Sequence, residues 1–221
     1  MSLDWHELVP AIAHDARAFV RKGITHAQLL ERVLEPTENA AARVHLRSII
    51  DSQLELNRFL SRLVALSEAQ GDNTPEEFLD LNAIVLGAKL ECKEAIVRAG
   101  GEFILGDLPA CRVPRRAQAV LKELLDNSVR FVHSERPLKI TVEAEVTDGT
   151  IRVKVTDTGT GIDAQYTEKL FRPLQRLDSA RSGQGLGLAI AQAIIDACGG
   201  KIYQETCEAG ATFAFELPTE S

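Results

Sequence analysis

The residues with chemical potential fall into three groups along the chain. Ile151, Val153 and Val155 alternate as a strand does and deliver Asp157 to its end. Asp157-Thr-Gly159-Thr-Gly161 then follows, and its glycines admit backbone angles that other residues resist. This is a strand opening into a pocket, with a carboxylate at its mouth. The second group, Gly183-Gln-Gly185-Leu186-Gly187-Leu188, runs straight into residues 188–198, a strong helix former ended by Gly199-Gly200. Glycines at a helix N-terminus expose backbone N–H groups to the positive end of the dipole, where phosphate can be held. Neither recurrent phosphate motif is present. There is no Gly-x-x-x-x-Gly-Lys-Ser/Thr, and Gly183, Gly185 and Gly187 lack the spacing and preceding strand of a dinucleotide fingerprint.

The third group lies upstream. Val120, Leu121, Leu124, Leu125 and Val129 are apolar at helical spacing, and Glu123 and Asn127, one turn apart, share a face. A carboxylate and an amide oxygen so placed can hold a hard cation such as Mg²⁺ together with water and phosphate; the same pair also fits a solvated stripe on an amphipathic helix. The order is more specific than its parts. A Glu/Asn helix, a strand with Asp-x-Gly-x-Gly, and Gly-x-Gly-Leu-Gly-Leu before a helix together resemble the ATP-binding domain shared by DNA gyrase, heat-shock chaperones, mismatch-repair ATPases and sensor histidine kinases.

Residues 3–70 read as two long helices joined near Glu35-Pro36-Thr-Glu38. In the second, Leu46, Ile49, Gln53, Leu56, Leu60 and Leu63 alternate three and four apart, as in the seam of a coiled coil. A short loop predicts antiparallel helices, and a pair of helices buries too little alone, so a symmetric dimer forming a four-helix bundle is expected. On the first helix Leu8, Ile12, Ala16 and Phe19 mark the inward stripe, which turns His14 toward solvent. An exposed histidine on a bundle is ordinarily a surface residue.

The surroundings of this one, Ala11-Ile-Ala-His14-Asp15-Ala-Arg17, are similar to the phosphoacceptor helix of sensor histidine kinases, especially the bacterial phytochrome-like branch with its Ser-His-Asp-Leu-x-Glu-Pro-Leu-Arg. A neutral imidazole is a good nucleophile toward a γ-phosphoryl group, and the neighbouring Asp15 carboxylate can hold the proton-bearing nitrogen. His6, His26, His45 and His133 have no such neighbour in a matching motif.

Gly71-Asp-Asn-Thr-Pro75 marks a boundary, giving residues 1–72 as a dimerisation and phosphoacceptor domain and 73–221 as the ATP-binding domain. Within the latter, residues 80–99 and 115–131 read as helices, 102–105 as a short strand, 139–157 as a hairpin about Thr147-Asp-Gly-Thr150, and 201–206 with 211–217 as a second hairpin. Residues 178–182 read as a short lid. The fold class is α+β, a helical hairpin followed by an α/β sandwich.

The resemblance covers nearly the whole chain, and it assigns roles position by position. Asn127 matches the family's Mg²⁺-binding asparagine, Glu123 the position taken by asparagine or a basic-function glutamate, and Asp157 the carboxylate that recognises the adenine amino group. Gly159, Gly161, Gly183, Gly185 and Gly187, with Leu186 and Leu188, match the pocket and lid. Arg130 stands where a cation approaches phosphate, Arg176 matches the arginine after the Phe171 box, and Thr212 matches a threonine lining the pocket. Three positions depart from the pattern. Phe19 replaces a kinking proline, Ala18 the residue that orients hydrolytic water in dual-function kinases, and Arg172 a usual glutamate. Ala18 accordingly implies little phosphatase activity.

The resemblance implies ATP and Mg²⁺ as cofactors, autophosphorylation of His14, and transfer to the receiver domain of a response regulator. Two other readings stay open from the residues: a scaffold or phosphotransfer protein with an inactive ATP domain, and a motor-like ATPase using Glu123 as base. A formal charge of −7 argues against a nucleic-acid partner. No apolar run approaches the roughly 20 residues of a membrane span, so the expectation is a cytoplasmic piece whose upstream sensor domain lies elsewhere. Cys92, Cys111, Cys198 and Cys207 show no C-x-x-C pairing and read as reduced thiols.

Overall fold

The computed structural model describes residues 5–33, 40–71, 76–175, 184–207 and 209–219. The chain divides into two compact units, Met1–Gly71 and Asp72–Ser221.

The first unit is a hairpin of α1 (Trp5–Val33) and α2 (Ala40–Gly71). The cross-helix partners Arg17 with Ser61, Gly23 with Gln53 and Glu31 with Arg47 step in opposite directions along the two helices, which makes them antiparallel. Ala13, Val20 and Leu60 form the buried centre, with Ala16, Ile24 and Val64 packed around it. The inward stripe of α1 is therefore Val9, Ala13, Ala16, Val20, Ile24 and Ala27, one position on from the stripe expected. Ile12 and Phe19 are 57% and 77% exposed, and on α2 Ile49 and Leu56 are exposed while Leu46 and Leu60 are buried. The physical reason is size. Small residues on the facing side let the helices approach, and the larger side chains form a second apolar stripe that a single hairpin leaves uncovered. Pro10, which the two-helix reading does not weigh, lies inside α1 and leaves the His6 carbonyl without its helical donor. The joint at Glu35-Pro36-Thr-Glu38 falls outside the described residues.

The second unit contains β1 (Phe78–Asp80), α3 (Leu81–Arg98), β2 (Glu102–Leu105), β3 (Arg112–Pro114), α4 (Ala117–Arg130), β4 (Lys139–Thr147), β5 (Thr150–Asp157), a 3-10 turn (Ala164–Lys169), α5 (Gly187–Ala197), β6 (Lys201–Glu205) and β7 (Ala211–Pro218). Five strands make one sheet in the order β2-β4-β5-β7-β6, parallel only between β2 and β4. The β4–β5 hairpin turns at Asp148 and Gly149, both at positive φ (50° and 74°), the primed turn that matches strand twist. The short ladder of β1 with β3 was not legible in the sequence, where Arg-Val-Pro carries no alternation.

The sheet is two-sided in character. Ile140, Val142, Ile151, Val153, Val155, Phe213, Phe215 and Leu217 are buried on one face against the apolar stripes of α3, α4 and α5. Each such burial contributes about 1.5–3 kcal/mol, so this face dominates the energetics. The other face carries cross-strand ion pairs: Lys154 with Glu143 at 3.0 Å, Arg152 with Glu145 at 3.1 Å and with Glu205, and Lys201 with Glu216 at 2.9 Å. Exposed pairs of this kind add little each, but in register they pin the pairing. All four cysteines are free. Burial, with Asp126 close by, pushes the Cys92 thiol up to about 12, so that sulfur is chemically inert.

Candidate functional site

Asp157 occupies the last inward-facing position of β5. Ile151, Val153 and Val155 precede it on the same side, each no more than 1% exposed, so a carboxylate stands where the pattern places an apolar side chain. Both of its oxygens accept from local donors. Oδ1 accepts from the backbone N–H of Gly159 (2.8 Å) and of Ala211 (3.2 Å), and Oδ2 accepts from the Ser128 hydroxyl (3.0 Å). Burial raises the Asp157 carboxyl above its ordinary range, and these three hydrogen bonds pull in the opposite direction without cancelling it. A carboxylate has roughly four acceptor directions, so one remains on Oδ2 for an incoming N–H donor.

The turn after Asp157 has no room for side chains. A Cβ on Gly159 would stand 2.6 Å from the Phe131 carbonyl oxygen and 2.8 Å from Asp157 Oδ1. Gly161 is at φ +77°, in the left-handed region, where glycine is at home. The 159–160 peptide is held at both ends by the loop after α4: Thr160 N–H donates to the Phe131 carbonyl at 2.9 Å, and Arg136 Nη2 donates to the Gly159 carbonyl at 2.9 Å.

On α4, Val120, Leu121, Leu124, Leu125 and Ser128 face the core. Glu123 and Asn127 are half-buried on a neighbouring flank, and Arg130 Nη1 lies 3.4 Å from Asn127 Oδ1. Among the described residues no three His, Cys, Asp or Glu side chains converge on one point. The Glu123 carboxylate and the Asn127 amide oxygen are hard donors of the kind Mg²⁺ accepts.

The second glycine group opens α5. Leu186, 1% exposed, anchors the entry, and Gly187 and the half-buried Leu188 begin the helix. The first intrahelical bond runs from Ile190 N–H to the Leu186 carbonyl, so the N–H groups of Gly187, Leu188 and Ala189 are those that helix geometry leaves for an anion. Gly185 is at φ +66° and accepts from Leu174 N–H at 2.8 Å, and a Cβ there would strike the Gln175 carbonyl at 2.6 Å. Phe171 stacks edge-on against Phe213, with centroids 6.3 Å apart. Arg176, Gly183 and the expected lid at 178–182 fall outside the described residues.

Thr212 needs a correction of place. It pairs with Thr156, and the two hydroxyls are 3.1 Å apart on the face of the sheet opposite Asp157. The residue of β7 directly across from Asp157 is Ala211. Thr212 thus does not stand beside the carboxylate; a period of two along the strand puts the smaller neighbour there. Sequence reasoning also passed over Ser128 and Arg136. Ser128 had a signal, a polar residue in the apolar stripe of α4; Arg136 had none.

In the first unit His14 is exposed, as is Asp15, and His14 Nδ1 lies 3.3 Å from Asp15 Oδ1. With the proton on Nδ1 donated to Asp15, the Nε2 lone pair faces solvent, the arrangement a nucleophile needs.

Residues 112–221 match the family described as Histidine kinase-, DNA gyrase B-, and HSP90-like ATPase. The chain is 31% identical over 211 residues to the C4-dicarboxylate transport sensor protein DctB of Rhizobium meliloti (strain 1021), covering 95% of this chain and 31% of that one. Three curated relatives are each matched over only 25–31% of their own length. In fold, the chain resembles full-length ShkA in complex with AMPPNP (TM-score 0.78, 21% identity, 97% of this chain and 46% of that one). It also resembles histidine kinase ThkA in complex with response regulator protein TrrA (TM-score 0.66, 25% identity, 97% and 61%). The ATPase family match lies within the second unit, the catalytic domain of histidine kinase ThkA is matched at 32% identity over 95% of its length (TM-score 0.56, 64% of this chain), and sensor-kinase relatives extend over nearly the whole chain, so the chain belongs to the two-component histidine kinases, as a core with a gyrase- and HSP90-like ATPase domain.

Proposed function

We propose that this chain phosphorylates itself on His14 from ATP and passes the phosphoryl group to an aspartate of a response regulator. The observation that carries this reading is the pairing of an exposed His14–Asp15 couple in one unit with a buried, hydrogen-bonded Asp157 pocket in the other. The adenine amino group donates to Asp157 Oδ2. Gly187, Leu188 and Ala189 at the start of α5 and the Arg130 guanidinium take the phosphates. Glu123 and Asn127 would hold Mg²⁺, which when bound would neutralise charge on the phosphates.

His14 Nε2 attacks the γ-phosphorus, the bond from phosphorus to the β–γ bridging oxygen breaks, and ADP leaves with that electron pair. The Nδ1 proton stays hydrogen-bonded to Asp15, which offsets the positive charge of the phosphorylated ring. A regulator carboxylate then attacks the same phosphorus, the N–P bond breaks, and neutral imidazole is restored. The neighbours AMPPNP-bound ShkA and regulator-bound ThkA support the nucleotide and the partner. The uncovered stripe of Ile12, Phe19, Ile49 and Leu56 supports a homodimer through the hairpin. Among the described residues no helix is long and apolar enough to cross a membrane.

The test is incubation with γ-labelled ATP and Mg²⁺. The parent gains label that is lost in acid and kept in alkali, while His14→Gln and Asn127→Ala gain none and His14→Gln still binds nucleotide. Label that persists in His14→Gln sinks the reading. ATP turnover that survives His14→Gln and collapses in Glu123→Ala, with no phosphoprotein, moves the chain to the motor-like ATPases.

A further inference from the structure

We infer that Arg136 is a positioning residue for adenine selection, acting through the Gly159 turn on the carboxylate of Asp157; this rests on the nucleotide reading above. The chain of contacts is short. The Asp157 carboxylate is aimed by the Gly159 N–H, and the peptide that follows is fixed by Arg136 Nη2 at its carbonyl and by the Phe131 carbonyl at its N–H. The same loop grips the residue on the other side of the glycine. The Thr158 hydroxyl donates to the Pro137 carbonyl at 2.7 Å and accepts from Lys139 N–H at 2.9 Å, and Thr158 N–H donates to the Lys139 carbonyl at 3.1 Å.

Of these ties Arg136 is the one made by a charged side chain, and it is the one that acts on the glycine itself. Gly159 has no side chain of its own to resist rotation of its peptides, and a Cβ in its place would stand 2.6 Å from the Phe131 carbonyl oxygen. A charge-assisted hydrogen bond at its carbonyl, beside the Thr160 N–H bond to Phe131, therefore limits that rotation. If the turn relaxes, the Gly159 N–H swings off Oδ1, the carboxylate is left to the Ala211 N–H and the Ser128 hydroxyl, and the remaining acceptor direction on Oδ2 is held less tightly. A carboxylate so loosened still accepts from any N–H donor, but it favours one base edge over another less strongly. The Arg136 Nε is buried and has no hydrogen-bond partner among the described residues, so this guanidinium sits in its slot at a cost that the Gly159 contact offsets.

The experiment measures ADP and GDP affinities by calorimetry on the full chain, for the parent, Arg136→Met and Arg136→Lys. The parent prefers ADP. Arg136→Met weakens ADP about five- to tenfold and GDP much less, which narrows the preference, and Arg136→Lys, which keeps a donor, restores most of it. A methionine variant that loses both nucleotides equally, or neither, overturns the inference while leaving the nucleotide reading intact. A parent that binds neither nucleotide overturns both. Should Arg136→Met not fold, Arg136→Ala decides by exchange of the Thr160 amide and by base preference: faster exchange with a narrowed preference supports the clamp, and unchanged exchange with unchanged preference overturns it.

Discussion

At the scale of single residues, Asp157 sets function against stability. Because burial raises its carboxyl above the ordinary value of 3.8, the folded protein binds this proton more tightly than the unfolded chain does. Stability from this group is then fully present below about pH 3.8 and is lost as pH rises through the raised folded value, so at neutral pH the ionised carboxylate is a net cost. Asn at this position keeps an oxygen for Gly159 and Ala211 and turns its N–H₂ toward the Ser128 hydroxyl, which can still donate to the Leu124 carbonyl at 3.2 Å. Asp157→Asn is therefore expected to raise the thermal midpoint at pH 7–8, with the advantage shrinking toward pH 4, while ADP binding weakens by tenfold or more, roughly one charged hydrogen bond. Calorimetric melts across pH, beside an ADP titration, check it; a variant less stable than the parent at pH 8 contradicts the sign. The residues that escaped the sequence around this site share one cause. Asp157 was legible from strand alternation and the glycines that follow. Ala211 and Arg136 matter through register and loop path, which residue type does not write, and Ser128, though visible as a polar residue in an apolar stripe, matters through the helix rotation that aims it at Asp157. Thr212 was singled out by its match to the family's pocket threonine, although the pleat turns its hydroxyl to the face opposite Asp157.

At the scale of elements, most of the second unit was readable because its signals are local. The alternation of β4 and β5, the Asp148-Gly149 turn and the stripe of α4 each reside in a few consecutive residues. The hairpin of the first unit was harder. Its two helices were plain, yet both carry apolar residues on more than one side, and period alone does not say which side faces the partner helix and which a second chain. Burial now separates them. Leu60 is 7% exposed and packs against Ala13 and Val20, whereas Leu56 is 44% exposed and lies on the uncovered stripe with Ile49. The two leucines should accordingly fail in different ways. Leu60→Asp buries a charge inside the hairpin and lowers its helicity, because an unpaired buried carboxylate costs several kcal/mol. Ile49→Glu with Leu56→Glu keeps the hairpin helical and converts the dimer to monomer. Sedimentation together with circular dichroism distinguishes them, and a double variant that remains dimeric removes the stripe as the interface.

At the scale of the whole molecule, two units with separate apolar cores carry separate tasks, and their stabilities should answer to separate variables. The hairpin's core is small, centred on Ala13, Val20 and Leu60, so if it dimerises as proposed its stability should draw on association and fall with dilution. The second unit has a sheet and three helices around one core, and its stability should follow nucleotide instead. A ligand at a hundred times its Kd adds about 2.7 kcal/mol to the unit it binds. For a unit of this size that moves the midpoint by roughly 5–10 °C, at about 2–4 °C per kcal/mol. Amide exchange followed on α1 and α2 should therefore report a transition that shifts down on hundredfold dilution and is indifferent to ADP, and exchange followed on α3, α4 and the five-stranded sheet one that shifts up with ADP and is indifferent to dilution. A single transition that moves with both variables would show that the two cores melt as one cooperative body, and the separation of tasks argued from their composition would then fail.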